Sequence, residues 1–178
     1  MPKDLKDQLL FDYERGRRNF GGYNLAGVDL FEASLSYIEL GAANLVAVYM
    51  PYADLSHANL CSVQLQNAQM GDAQLFQADL TKANLQDANL ARSNMRYVNL
   101  EGANLRGANL QAVDLRYANL QHADLRGADL SRTNLEAANF TGALLSGCNL
   151  FRARLANLAG AIADPSTVYP DGHRQAPE

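Results

Sequence analysis

From Leu25 to Leu155 every fifth residue is large and apolar: 23 of these 27 positions are Leu, and the others are Met50, Met70, Met95 and Phe140. Two residues before each stands a smaller one, Ala in 17 of 27, with Val28, Val63, Ser93, Val113, Thr133 and Cys148 among the rest. Between the two lies Asn or Asp in 19 of 27. The unit is A-(N/D)-L-x-x, in frame from Tyr23 to about Leu155.

A period of five fits neither the 3.6 of a helix nor the alternation of a flat strand. Two inward residues flanking one outward residue make a strand of minimal length, and the two x residues then turn a corner. Coils stacked at roughly 4.8 Å would satisfy the backbone through parallel ladders. Residues 20 apart also resemble one another, which predicts four units per coil. One set of second corner residues runs Gly27, Ala47, Asn67, Asp87, Gly107, Gly127, Gly147, and the set ten residues on runs Tyr37, His57, Gln77, Tyr97, Tyr117, Ala137, Asn157. Six of the seven in the first set are types that tolerate positive φ, so the corners are expected to use different turns, positive at the glycines and not at Tyr97 or Tyr117. Parallel crossovers are right-handed in nearly all cases. The expected fold is all-β: a right-handed quadrilateral β-helix of about seven coils, roughly 34 Å long at the 4.8 Å spacing.

Open coil ends expose backbone and need caps. Leu5, Leu9 and Tyr13 at helical spacing, with Gly16 as the stop, predict a capping helix over 4–15. Tyr23 is large for its inward slot and is expected to plug the first coil. After Leu155 and Leu158 the frame dissolves, and Ile162, Val168 and Tyr169 are expected to fold back over the last coil. The division is 1–18 capping helix, 19–158 β-helix and 159–178 tail, with the last five or six residues mobile.

The A-(N/D)-L-x-x run, covering about three quarters of the chain, resembles the pentapeptide repeat family. Thr167 to Gly172, a T-x-(W/Y)-P-(D/E)-G stretch, looks like the closing segment of many cyanobacterial members. The resemblance implies the right-handed quadrilateral solenoid and no activity.

Charge narrows the choice of partners. The 178 residues carry a net charge of −4, with a pI near 5.3, so no global basic field draws nucleic acid or anionic lipid. The charged N-terminal stretch has no signal-like apolar core, and no apolar run is long enough to span a bilayer. A soluble, cytoplasmic protein without membrane contact is expected. Along the axis, residues 19–88 sum to −6 and residues 89–158, with eight Arg, to +3. Cys61 points outward and Cys148 inward, more than four coils apart, too far for a disulfide.

The repeated Asn and Asp read as a hydrogen-bonded stack along the solenoid rather than an ion site. His57, His122 and His173 share no face, and no nucleophile, base and orienter converge, so no metal, cofactor or catalytic residue is expected. The candidate partner surface is Tyr37, His57, Phe76, Arg96, Tyr97, Arg116 and Tyr117, in which Arg96 with Arg116 and Tyr97 with Tyr117 form a two-by-two patch of residue types common in binding hot spots. A second candidate is Phe31, Tyr49, Pro51 and Tyr52. The function expected is a non-catalytic rigid scaffold that binds an unidentified protein. The alternative, made available by the resemblance, is a DNA mimic acting on a type II topoisomerase such as DNA gyrase. This chain has a single central Phe after the start, no loop between coils and a basic C-terminal half, all departures from that subgroup. Direct binding of nucleic acid through the arginines is the third class. A homodimer is expected, if at all, through the C-terminal end, the tail as a cap being the competing outcome.

Overall fold

The computed structural model describes residues 4–174. Of the last five or six residues, expected to be mobile, 175–178 lie outside the described ones, while Arg174 is bridged to Val168.

One helix precedes the repeats: α1, Leu5–Glu14. Asp4 caps its start, its side chain accepting from the Asp7 N–H at 2.8 Å. Gly16 ends it at φ +93°, with Gly16 N–H bonded to Tyr13 O and Arg17 N–H to Asp12 O, the paired closure of a left-handed C-terminal stop. Leu9 is buried, Leu10 and Tyr13 pack against the core, and the Tyr13 hydroxyl donates to Ser36 O at 2.7 Å. Leu5 departs from expectation, because Leu10 takes the contact and leaves Leu5 42% exposed.

The repeats form a parallel ladder in a register of 20: Asn24 pairs with Asn44, Asn44 with Gln64, and so on around four sides to Asn134 with Arg154. Each coil therefore has 20 residues. The central Leu of each unit through Leu150 is essentially inaccessible, and so are most of the preceding Ala residues. Burying one Leu contributes about 1.5 to 3 kcal/mol. Phe20 and Tyr23 meet edge to face at 5.5 Å in the first coil, beneath the Arg17 guanidinium, and Tyr23 is only half-buried there.

The corners correct the expected turn chemistry. Gly27, Gly107, Gly127 and Gly147 do have φ of 65 to 70°, but Tyr97 and Tyr117 stand at 59° and 60°. Corners from Glu32 to Arg152 are alike in this, whatever their side chain. Two bonds impose the shape: Val98 N–H reaches back to Met95 O at 3.2 Å, closing a type II turn, and Tyr97 N–H donates to Arg116 O in the next coil at 2.9 Å. Coil closure outweighs side-chain preference.

The C-terminal end differs from expectation too. Leu155 is not the last inward residue; it sits at φ 55° and is 64% exposed. Past Arg154 the register shortens from 20, by two where Leu144 pairs with Ile162 and by one where Asn149 pairs with Val168. Ile162 and Val168 thus extend the ladder as outward residues instead of folding over it. Thr167 fills the inward slot, fully buried, its hydroxyl donating to Leu145 O at 2.8 Å. Arg174 closes an antiparallel bridge with Val168. Leu158, Ala161 and Ala163 pack partly against the core.

Candidate protein-binding surface

The outward residue between each inward pair anchors the edges. Its side-chain oxygen accepts the N–H two residues on, as Asn104 does for Arg106 at 3.2 Å, which orients the corner. The amide nitrogen reaches the coil below: Asn44 to Asn24 at 2.9 Å, Asn104 to Asn84 at 3.0 Å, Asn119 to Asn99 at 3.0 Å. Asp lacks that donor, and two of these Asp residues bind a cation instead. Asp114 and Asp124, in the sequence D-L-R, grip Arg116 and Arg126 two residues on, each with a 2.6 Å contact. Burial pushes Asp114 up, but the Arg116 bonds outweigh it and hold its carboxyl below the ordinary value; Arg126 lowers Asp124 likewise.

The edge carrying residues 36 and 37 and their equivalents, the tyrosine edge, holds the first candidate set. Tyr37 stacks on His57 at 4.6 Å, His57 meets Phe76 edge-on at 5.5 Å, Phe76 meets Tyr97 edge-on at 5.8 Å, and Tyr97 stacks on Tyr117 at 4.8 Å, 6° from parallel. All five rings form one row along the axis. Tyr37, Tyr97 and Tyr117 are exposed. The two arginines part company. Arg116 is drawn to Asp114, whereas Arg96, preceded by Asn94, leans 5.8 Å over the Tyr97 ring and 6.0 Å over Phe76. The Arg96 Nε is buried without a hydrogen-bond partner.

The second candidate lies one corner earlier, on the phenylalanine edge. Phe31 stacks near-parallel to Tyr49 at 6.2 Å and meets Tyr52 at right angles at 5.9 Å. Pro51 contributes backbone, its carbonyl accepting the Glu32 N–H at 3.0 Å. Sequence reasoning passed over Asp72 and Arg92 on this edge, which form a two-bond pair at 2.9 and 2.6 Å; opposite charges 20 apart were the signal.

Cys61 is half-exposed and Cys148 buried, where burial pushes the thiol up to about 12. Among the described residues, no three His, Cys, Asp or Glu side chains are grouped to hold a metal. No described helix is long and apolar enough to cross a membrane.

Pentapeptide repeats, in eight copies, match the chain, over residues 38–73, 73–111, 94–132, 114–150 and 128–162. The chain belongs to the pentapeptide repeat family, whose members form right-handed β-helices. Similar solved structures include HetL, a pentapeptide repeat protein involved in heterocyst differentiation regulation from the cyanobacterium Nostoc sp. strain PCC 7120. It is 28% identical over 94% of this chain and 98% of its own, with a TM-score of 0.47. Rfr23 from the cyanobacterium Cyanothece 51142 is 25% identical over 91% of this chain and 98% of its own, at a TM-score of 0.31. A trypsin-treated form of QnrB1, a plasmid-mediated fluoroquinolone resistance protein, is 19% identical over 83% and 86%, at a TM-score of 0.46. No curated protein matches the sequence.

Proposed function

We propose that the chain is a non-catalytic cytoplasmic scaffold that binds a protein partner along its tyrosine edge. The observation that carries this is the unbroken row of five rings from Tyr37 to Tyr117 with Arg96 lying against it. Rigid aromatic and arginine side chains contribute contact area at low entropic cost, and they dominate binding hot spots. The corner frame holds the rings in place before any partner arrives, so little ordering remains to be done on binding. The same frame supports the non-catalytic reading, since outward side chains are spread along edges and do not converge on a reacting atom.

Mimicry of DNA toward a type II topoisomerase is less well supported by the surface. A mimic needs unneutralised carboxylates in series, and Asp72, Asp114 and Asp124 each hold an arginine. A gyrase supercoiling assay with the added protein tests it directly.

Affinity capture from native cells, with the full chain and with the variant Tyr37→Gln/Tyr97→Gln/Tyr117→Ala, tests the tyrosine edge. Gln77 and Ala137 occupy the same column, so these residues fit the corner. The variant should keep its β-helical circular dichroism and lose the partner. Retention of the partner, with only a lowered melting temperature, would reduce the rings to staples between coils.

A further inference from the structure

The phenylalanine edge combines features that the tyrosine edge lacks. Phe31, Tyr49 and Tyr52 touch as a compact cluster yet stay 42%, 45% and 54% exposed, three neighbouring rings left open among the described residues. Three carboxylates frame them. Asp29 pairs across the ladder with Tyr49, Glu32 follows Phe31 in the chain, and Asp54 lies two residues beyond Tyr52. Asp29 and Asp54 each use one oxygen to accept a corner N–H at 2.9 Å, and among the described residues none of the three forms an ion pair. The nearby arginine, Arg92, is already held by Asp72. Beside the cluster a groove of about 420 Å³ runs between α1 and this edge, lined by Leu10, Phe31 and Glu32 and with Lys6 as its single base among the described residues. The surrounding half of the rod, residues 19–88, carries a net charge of −6.

We propose that this cluster docks a basic segment of a protein partner, presenting arginine or lysine to the Phe31, Tyr49 and Tyr52 rings. A guanidinium or ammonium within about 6 Å of a ring centroid is attracted to the π face. Arginine suits the site better, because its plane stacks on rings while its N–H groups reach carboxylates at the rim. Asp29, Glu32 and Asp54 steer the approach and exclude acidic partners. The site shares with the tyrosine edge only the premise that the rod acts by binding; it lies on a different corner and uses different residues.

Fluorescence anisotropy with the full chain tests it, the probe being a labelled short peptide of alternating arginine and glycine and the control its citrulline counterpart, uncharged but isosteric. The arginine peptide should bind in low salt and the citrulline peptide should not. Phe31→Gln/Tyr49→Asn/Tyr52→Ala introduces residues found in the same columns at Gln111, Asn89 and Ala112, and should weaken binding about tenfold without unfolding the coil. Glu32→Gln/Asp54→Asn keeps the rings and the corner bond of residue 54, and should weaken binding and flatten its salt dependence. Tyr97→Gln should leave binding unchanged. The proposal is overturned if the wild-type chain does not bind the peptide, if citrulline serves as well as arginine, or if the triple aromatic variant binds undiminished. Loss in Tyr97→Gln alone would place the peptide on the tyrosine edge, sinking this site and leaving the other reading standing. Self-association of the wild-type chain that the triple variant abolishes would mean the occupant is a second copy, and would overturn the proposal as well.

Discussion

At Tyr97 and Tyr117 the backbone holds an L residue in the left-handed region, a conformation that costs roughly 1 to 2 kcal/mol per residue. The turn bond, the bond to the next coil and the stacked rings offset it together. Positive φ at the glycines was legible in the sequence; positive φ at the tyrosines was not, because residue preference is local and the demand comes from the coil. The same geometry separates two adjacent residues sharply. Gln111 is a first corner residue, the slot Pro51 already fills, whereas Ala112 is a second, at φ 56° with its N–H bonded to Ser131 O at 2.9 Å. Gln111→Pro should be tolerated, losing the bond from its N–H to Asn109 and the exposed side-chain bond to Asp129. Ala112→Pro is excluded by φ and removes the bond to the next coil, and should cost about 3 kcal/mol or more. Chemical denaturation of both variants checks this, and equal stability would mean the corner geometry is wrong.

On the scale of one coil, the sequence carried nearly everything that repeats. The period, the small and large inward residues and the register of 20 were all readable, because each recurs often enough to average out single substitutions. The ends do not repeat, and there the reading failed: Leu5 looked apolar but Leu10 took the contact, and Leu155 looked like the next core residue although the register shortens beyond it. Inside the coil, Ala108 is fully buried, and Ala108→Leu should cost about 1 to 3 kcal/mol by overpacking, read as a lowered thermal midpoint. An unchanged midpoint would contradict its inward placement. The acid–arginine pairs make a different statement. Asp72, Asp114 and Asp124 have carboxyls held below the ordinary value of 3.8 by Arg92, Arg116 and Arg126, so the unfolded chain binds more protons in acid. Their contribution is present above about pH 4 and is lost as the pH falls through the folded values. Melting temperature should therefore fall on acidification below pH 4, and less steeply in Asp114→Asn/Asp124→Asn. A melting temperature that rises in acid would contradict the sign.

For the whole molecule, the pairing of acids with arginines tempers the formal asymmetry between −6 and +3, since three of the eight arginines in or beside the basic half are already held. The C-terminal end carries the exposed Leu155 and Ile162, and only a two-fold contact there would close without propagating a fibre. If that end pairs, light scattering of the full chain should give a dimer mass that Leu155→Asn returns to a monomer; a monomer at all concentrations means the tail suffices as a cap. The candidate surfaces were legible as residue types 20 apart, but which arginine is free depended on whether Asn or Asp stands two residues before it. The central claim is that the rod binds along an edge, so that a footprint must recur down the axis instead of filling one stretch of sequence. Hydroxyl-radical footprinting of the chain with its captured partner reads those side chains directly. Tyr37, His57, Phe76, Tyr97 and Tyr117 should be protected together while Phe151, on another edge, reacts as it does in the free chain. Undiminished reactivity at those five rings with the partner bound would contradict the account.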